Sequence, residues 1–327
     1  MTTRRQFIAL GAGALAMPTS GWAQQAPAHA RLGILFPGTQ TTGEDYYRAF
    51  FESLATEGYV EGRNLAVERR FANGQPQRLD ALARELVGAK VNVIYAPPTP
   101  AAMAAKKASQ TVPVVFSMSS DPVGAGLVTS LSRPDANVTG LSTLGRELAP
   151  KRVELLRELV PGIRRMALLY DLSREPHTIN REAARRTAQS FGVAVVEQDV
   201  RTREQIPAAF TALKEKRVEA VLVFEGALVL SNSDMVIKHA AINRIPALYT
   251  YPEFPSDGGL MSYSASVVEQ YRRAAVVVAK LLRGAKPGDL PIEQPTKFEL
   301  VINTKTARAL GLKIPNSLLV QANKVIE

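Results

Sequence analysis

Short apolar, β-branched runs recur along this chain, each followed by a polar loop and then an amphipathic stretch. Residues 32–36, 65–67, 91–95 and 114–116 are such runs, and the last is entered through Pro113. Between them Tyr46, Tyr47, Phe50, Phe51 and Leu54 fall at helical spacing, as do Leu79, Leu82, Leu86 and Val87. Runs of four to eight apolar residues without alternation read as strands buried on both faces. Strands alternating with helices at this spacing build right-handed βαβ units on a parallel sheet. All the strands then end on one edge, and in open α/β sheets ligands bind outside that edge. The aromatics of residues 46–51 are expected in the core of this unit.

Polar residues gather in the loops that this topology sends to the edge. Thr39 and Gln40 follow the first strand, Thr99 follows the third, and Ser119 and Asp121 follow the fourth. Ser, Asp and Pro are also turn residues, so any one of these loops alone is open to a plain structural reading. Three polar loops converging on one sheet edge point to a binding site.

The pattern then restarts. Residues 166–170, 193–196, 220–224 and 245–249 repeat the strand series, and the strand at 245–249 is again entered through a proline, Pro246. The fold class is therefore α/β: two Rossmann-like lobes with parallel sheets, joined by a hinge. The expected first lobe is residues 31–142 plus 258–288, and the second is 143–257 plus 289–327. Crossings are expected near Gly140, Asp257 and Pro291. From the second lobe Tyr170, Asp171, Glu225, Tyr249 and Tyr251 are expected at the cleft. Tyr263 is expected after the chain's return to the first lobe. Hydroxyls and loop amides suit a carboxylate or hydroxyl group, acids suit an ammonium, and tyrosine faces suit an apolar or aromatic body.

Composition removes several other functions. The chain of 327 residues has no Cys, which excludes disulfides, thiol catalysis and cysteine metal sites. Its three histidines, His29, His177 and His239, lie far apart in sequence, so no metal or other cofactor is expected. Net charge is +10, but the basic residues are scattered over helix faces without interleaved aromatics, which argues against a nucleic-acid partner. At the N-terminus, Arg4-Arg5-Gln6-Phe7 precedes a mildly apolar stretch and the small-x-small site Gly21-Trp22-Ala23. Residues 1–23 read as an export leader resembling the twin-arginine type, with general secretion as the alternative. The expected location is the periplasm.

Several segments carry a family resemblance. They are Gly58-Tyr59-Val60-Glu61-Gly62-Arg63-Asn64, Thr99-Pro100-Ala101-Ala102, Asp121-Pro122-Val123-Gly124-Ala125-Gly126-Leu127-Val128, Asn137-Val138-Thr139-Gly140 and Phe298-Glu299-Leu300-Val301-Ile302-Asn303. Together they resemble the substrate-binding proteins of ABC transporters, in the group that includes tryptophan-binding members. The resemblance implies a periplasmic binding protein of the ribose-binding type. Such a protein is a monomer that takes a small solute into the interlobe cleft and passes it to an ABC permease. An amino acid or an aromatic or carboxylic acid is the implied ligand class. The loops Phe224-Glu225-Gly226 and Tyr249-Thr250-Tyr251 depart from the tryptophan-binding members, so the ligand itself is not implied. Two alternatives share the architecture. One is a ligand sensor for a signalling partner. The other is an enzyme using Ser119, Asp121, Asp171 and Glu225, against which stands the lack of a nucleophile elbow and of cleft histidines other than His177. The reading preferred is binding without catalysis.

Overall fold

The computed structural model describes residues 30–41, 43–134, 137–171, 178–224 and 226–327. The leader, Glu225 and His177 lie outside the described residues.

The first series runs β1 (Ala30–Phe36), α1 (Glu44–Thr56), β2 (Leu65–Phe71), α2 (Leu79–Gly88), β3 (Val93–Tyr95), α3 (Thr99–Ala108), β4 (Val114–Ser119) and β5 (Val138–Ser142). Its five strands form one sheet in the order β2-β1-β3-β4-β5, parallel throughout. Alternate side chains feed two cores. Leu32, Ile34, Val93 and Tyr95 pack on one face, beneath Phe50 and Leu54 of α1. Leu35, Ile94, Val114 and Phe116 pack on the other, against Leu82 and Leu86 of α2 and Ala101 and Ala105 of α3.

The second series runs α4 (Gly145–Leu159), β6 (Arg165–Asp171), α5 (Thr178–Ser190), β7 (Ala194–Val200), α6 (Gln205–Glu215), β8 (Ala220–Val223), α7 (Ala227–Ser231), α8 (Ser233–Ile242), β9 (Ala247–Tyr249), α9 (Glu253–Ser256) and β10 (Met261–Ala265). The chain continues through α10 (Val267–Leu282), β11 (Phe298–Asn303), α11 (Thr304–Leu310), α12 (Asn316–Gln321) and β12 (Lys324–Ile326). The second sheet has the order β12-β11-β10-β9-β8-β6-β7. Read from β7, its first five strands repeat the order of the first sheet. The β10–β11 pair is antiparallel.

One expected boundary is corrected. Residues 258–265, expected in the first lobe, supply β10, which pairs with β9 and β11 in the second sheet. The Gly258-Gly259 pair is a turn after α9 and not a crossing. The chain leaves this lobe only after its fifth strand, as it leaves the first lobe only after β5. Then α10 returns to the first lobe and packs Tyr271, Ala275, Val278 and Leu282 into its core.

The three connections between lobes lie side by side. Ser142, at the end of β5, donates its N–H to the Glu293 carbonyl at 2.9 Å and accepts the Gln270 side-chain amide at 3.3 Å. Ser266, between β10 and α10, donates its N–H to the Lys297 carbonyl at 3.0 Å. Arg273 of α10 holds both carboxylate oxygens of Glu293 at 2.9 Å. Leu144 takes a left-handed conformation, φ 53°, at the first connection, the kind of backbone strain that a hinge concentrates.

Candidate functional site

The carboxyl edges of the two sheets face each other across a cavity of about 580 Å³. That is the size of a small-molecule site. In each lobe the strand order reverses between the first and third strands, β1 and β3 or β6 and β8. Loops at such a switch point splay apart and leave a crevice.

From the first lobe, Thr41 of the β1–α1 loop, Tyr46 of α1, Thr99 at the start of α3, Ser120 after β4 and Thr143 after β5 line the cavity. Thr99 is held in place by donating to Ser119 Oγ at 3.0 Å. From the second lobe come Arg152 of α4, Asp171 at the end of β6, Gly226, and Thr250, Tyr251 and Glu253 after β9. Arg152 and Asp171 are each only 3% exposed. Arg152 Nε donates to the Tyr263 carbonyl at 2.9 Å, and Asp171 Oδ2 accepts the Leu228 N–H at 3.0 Å. One buried cation and one buried anion therefore share one wall. Gly226 packs so close that a Cβ there would lie 2.9 Å from Asp171 Cβ, so a side chain at 226 would push the carboxylate aside.

Tyr46 and Tyr271 form the cavity's apolar wall, backed by Tyr47 and Tyr95 in the core behind it. Tyr46 and Tyr271 have ring centroids 5.5 Å apart, and Tyr47 meets Tyr271 edge-on at 5.3 Å. Tyr95 stacks on Phe50 at 4.5 Å, and its hydroxyl bonds the Ser117 hydroxyl at 2.8 Å. Burial holds the hydroxyls of Tyr46, Tyr47, Tyr95 and Tyr271 well above the ordinary phenol range, so they stay neutral.

Contacts join the lobes across the cavity at two places among the described residues. Tyr46 donates its hydroxyl to Glu253 Oε1 at 2.6 Å. Burial pushes the Glu253 carboxyl up, against the lowering pull of the Tyr46 hydrogen bond. At the other contact, Gly145 sits where a Cβ would be 2.6 Å from both Ser120 Cβ and Asn180 Nδ2, so only glycine lets these three segments meet.

Of the residues expected at the cleft, Thr99, Asp171 and Tyr251 line the cavity. The others stand elsewhere, for identifiable reasons. Ser119 is the last residue of its strand, buried beneath Thr99, and its neighbour Ser120 takes the wall position. Asp121 turns back to accept the Gly124 N–H at 2.8 Å, so it stabilises its own turn. Thr39 and Gln40 are exposed, with the Thr39 hydroxyl 3.1 Å from that of Thr41. Tyr170 points to the opposite face from Asp171, donates to Glu197 at 3.1 Å, and lies under the Arg181 guanidinium at 3.9 Å. Tyr249 is 1% exposed and stacked on Phe254 at 4.5 Å in the core. Tyr263 packs on Phe298, and its carbonyl accepts the Arg152 Nε–H. The expected Glu225 lies outside the described residues. Tyr46, Arg152, Glu253 and Tyr271 were not expected. Tyr46 and Tyr271 carry only a helical core signal in the sequence, and Arg152 and Glu253 carry none.

Among the described residues no cluster of three or more His, Asp or Glu is placed to hold a metal ion, and no helix is long and apolar enough to cross a membrane.

Known proteins resemble this chain over nearly its whole length. The family profile of the ABC transporter substrate binding protein matches residues 42–326. The tyrosine-binding protein of Clostridioides difficile strain R20291 is 28% identical over 266 residues, 81% of this chain and 76% of that one. The crystal structure of an ABC domain in complex with L-Trp from Streptococcus pneumonia superposes with a TM-score of 0.84. It is 26% identical and spans 91% of this chain and 100% of that one. A conserved domain protein from Vibrio cholerae also gives a TM-score of 0.84, at 28% identity over 90% of this chain and 99% of its own. The role of this family is to bind substrate without transforming it, and the fold and the profile agree: the chain belongs to the ABC transporter substrate binding protein family.

Proposed function

We propose that the protein captures a bulky amino acid in the interlobe cavity and delivers it, in the periplasm, to an ABC permease. The observation that carries this reading is the pairing of buried Arg152 and buried Asp171 in one cavity that also has a tyrosine wall. A zwitterion complements both charges at once, and a ring fills the apolar remainder. The hydroxyls of Ser120 and Thr143 add donors for the ligand carboxylate, while Asp171 takes the ammonium. The tyrosine-binding and L-Trp-bound relatives support the same ligand class.

Isothermal titration of the purified chain against the twenty amino acids tests this. Aromatic members are expected to bind best. Asp171→Ala is expected to weaken the best binder by about 2–5 kcal/mol, the usual effect of removing one partner of a buried charge pair. Sugars or polyamines binding in place of amino acids would overturn the reading.

A further inference from the structure

The cavity has two different ends. At one, the Gly145 contact brings Ser120 of the first lobe beside Asn180 of the second, near Thr143 and Asp171. At the other, Tyr46 meets Glu253. Glu253 follows β9, and Asp171 ends β6, with β8 between those two strands. Strand spacing therefore puts the two ends about 10 Å apart. A ligand whose amino and carboxylate groups sit at the Asp171 end reaches the Glu253 end only with the tip of its side chain.

The Glu253 end is short of donors. Glu253 Oε2 is out of reach of solvent and accepts no hydrogen bond among the described residues. The Ser264 hydroxyl, on the same cavity wall, is equally buried and without a partner there. The charged groups that act on Glu253 are Asp257 and Glu299, both acidic, and Glu299 stands opposite Ser264 in the β10–β11 ladder. The Tyr46 hydroxyl donates to Oε1, the backbone N–H of Glu253 also acts on the carboxyl, and Tyr271 flanks Tyr46 through its ring. A buried acceptor that lacks a donor is costly, and any group that brings one is favoured strongly over an isostere that does not.

We propose that Glu253, with Ser264, is the specificity end of the cavity. It selects amino acids whose aromatic ring carries a hydrogen-bond donor at its far edge, such as a phenolic hydroxyl. This rests on the amino-acid reading above. The ring lies along Tyr46 and Tyr271, and its donor takes the place at Glu253 that no protein group fills. In the proposed complex the Glu253 side chain turns to present Oε2, buried without a ligand, to the cavity while Oε1 keeps Tyr46.

The test is a titration with two probes, L-tyrosine and L-phenylalanine, which differ by the hydroxyl alone. The unaltered protein should prefer L-tyrosine by roughly 10- to 100-fold, the range for one hydrogen bond to a charged group. In Glu253→Ala the ratio should collapse toward one. In Glu253→Gln, which keeps the shape and one acceptor, it should fall to an intermediate value, and Ser264→Ala should lower it less. Binding of L-phenylalanine by each variant shows that the cavity is intact. A ratio near one in the unaltered protein, or one that survives Glu253→Ala, overturns this role while leaving the amino-acid reading standing. No binding of either probe overturns both.

Discussion

Tyr249 and Tyr251 stand two residues apart and face different surroundings. Tyr249 ends a strand, so its side chain is committed to one face of the sheet and stacks on Phe254 in the core. Tyr251 lies past the strand end, where the wall of the cavity begins. Tyr249→Ala should cost about 3–5 kcal/mol of stability, the range for truncating a buried aromatic, and lower the melting temperature. Tyr251→Ala should leave the melting temperature close to that of the parent and weaken ligand binding, as thermal melts and titrations on the same preparations will show. A step of one residue likewise separates Ser119 from Ser120. The sequence shows a strand followed by polar residues, but not the hydrogen bond that marks where the strand stops. Choosing the last strand residue over the first loop residue thus sends a side chain to the core.

Glu253 adds a dependence on pH. Burial raises its carboxyl in the folded chain, so the folded form holds the proton more tightly than the unfolded one. The stability that this gives is full below the ordinary glutamate range and is lost as pH rises through the raised value. Glu253→Gln removes the loss. Its melting temperature relative to the parent should therefore climb over a range of buffers taken upward from about pH 4, the ordinary glutamate range. A difference that stays flat across that range would mean the carboxyl is not buried as described.

At the scale of elements, the strands and helices were largely readable because both follow from periodicity. All eight runs picked out by apolar content, at 32–36, 65–67, 91–95, 114–116, 166–170, 193–196, 220–224 and 245–249, overlap observed strands. The pairing of elements was less readable. Residues 261–265 were expected in the wrong lobe because a Gly-Gly turn resembles a crossing and nothing local says which sheet a strand joins. The helix that carries Tyr46 was legible as a helix, but a helix with an apolar stripe gives no sign that one turn of that stripe faces a cavity. Gly145 belongs to this scale, since it sets how closely α4, Ser120 and Asn180 approach. Gly145→Val should hold those segments apart, weaken the best-binding amino acid by at least about tenfold, and leave the separate lobe cores intact. Unaltered affinity would show that the approach does not matter to binding.

The whole molecule is two lobes of the same strand order whose binding edges face each other, tied by three adjacent connections. Neither lobe alone holds both the hydroxyl set of Thr99, Ser120 and Thr143 and the charged pair Arg152 and Asp171. On the proposed function, ligand binding draws the lobes together, with the connections at Ser142, Ser266 and Glu293 taking up the rotation. Closure at the expense of ligand is a change of shape, and solution X-ray scattering measures shape directly. The measurement is the radius of gyration of the purified chain, without ligand and at saturation with the tightest-binding amino acid. A smaller radius with ligand is predicted, with Asp171→Ala shifting the transition to higher ligand concentration; an identical profile at saturation would contradict capture between the lobes.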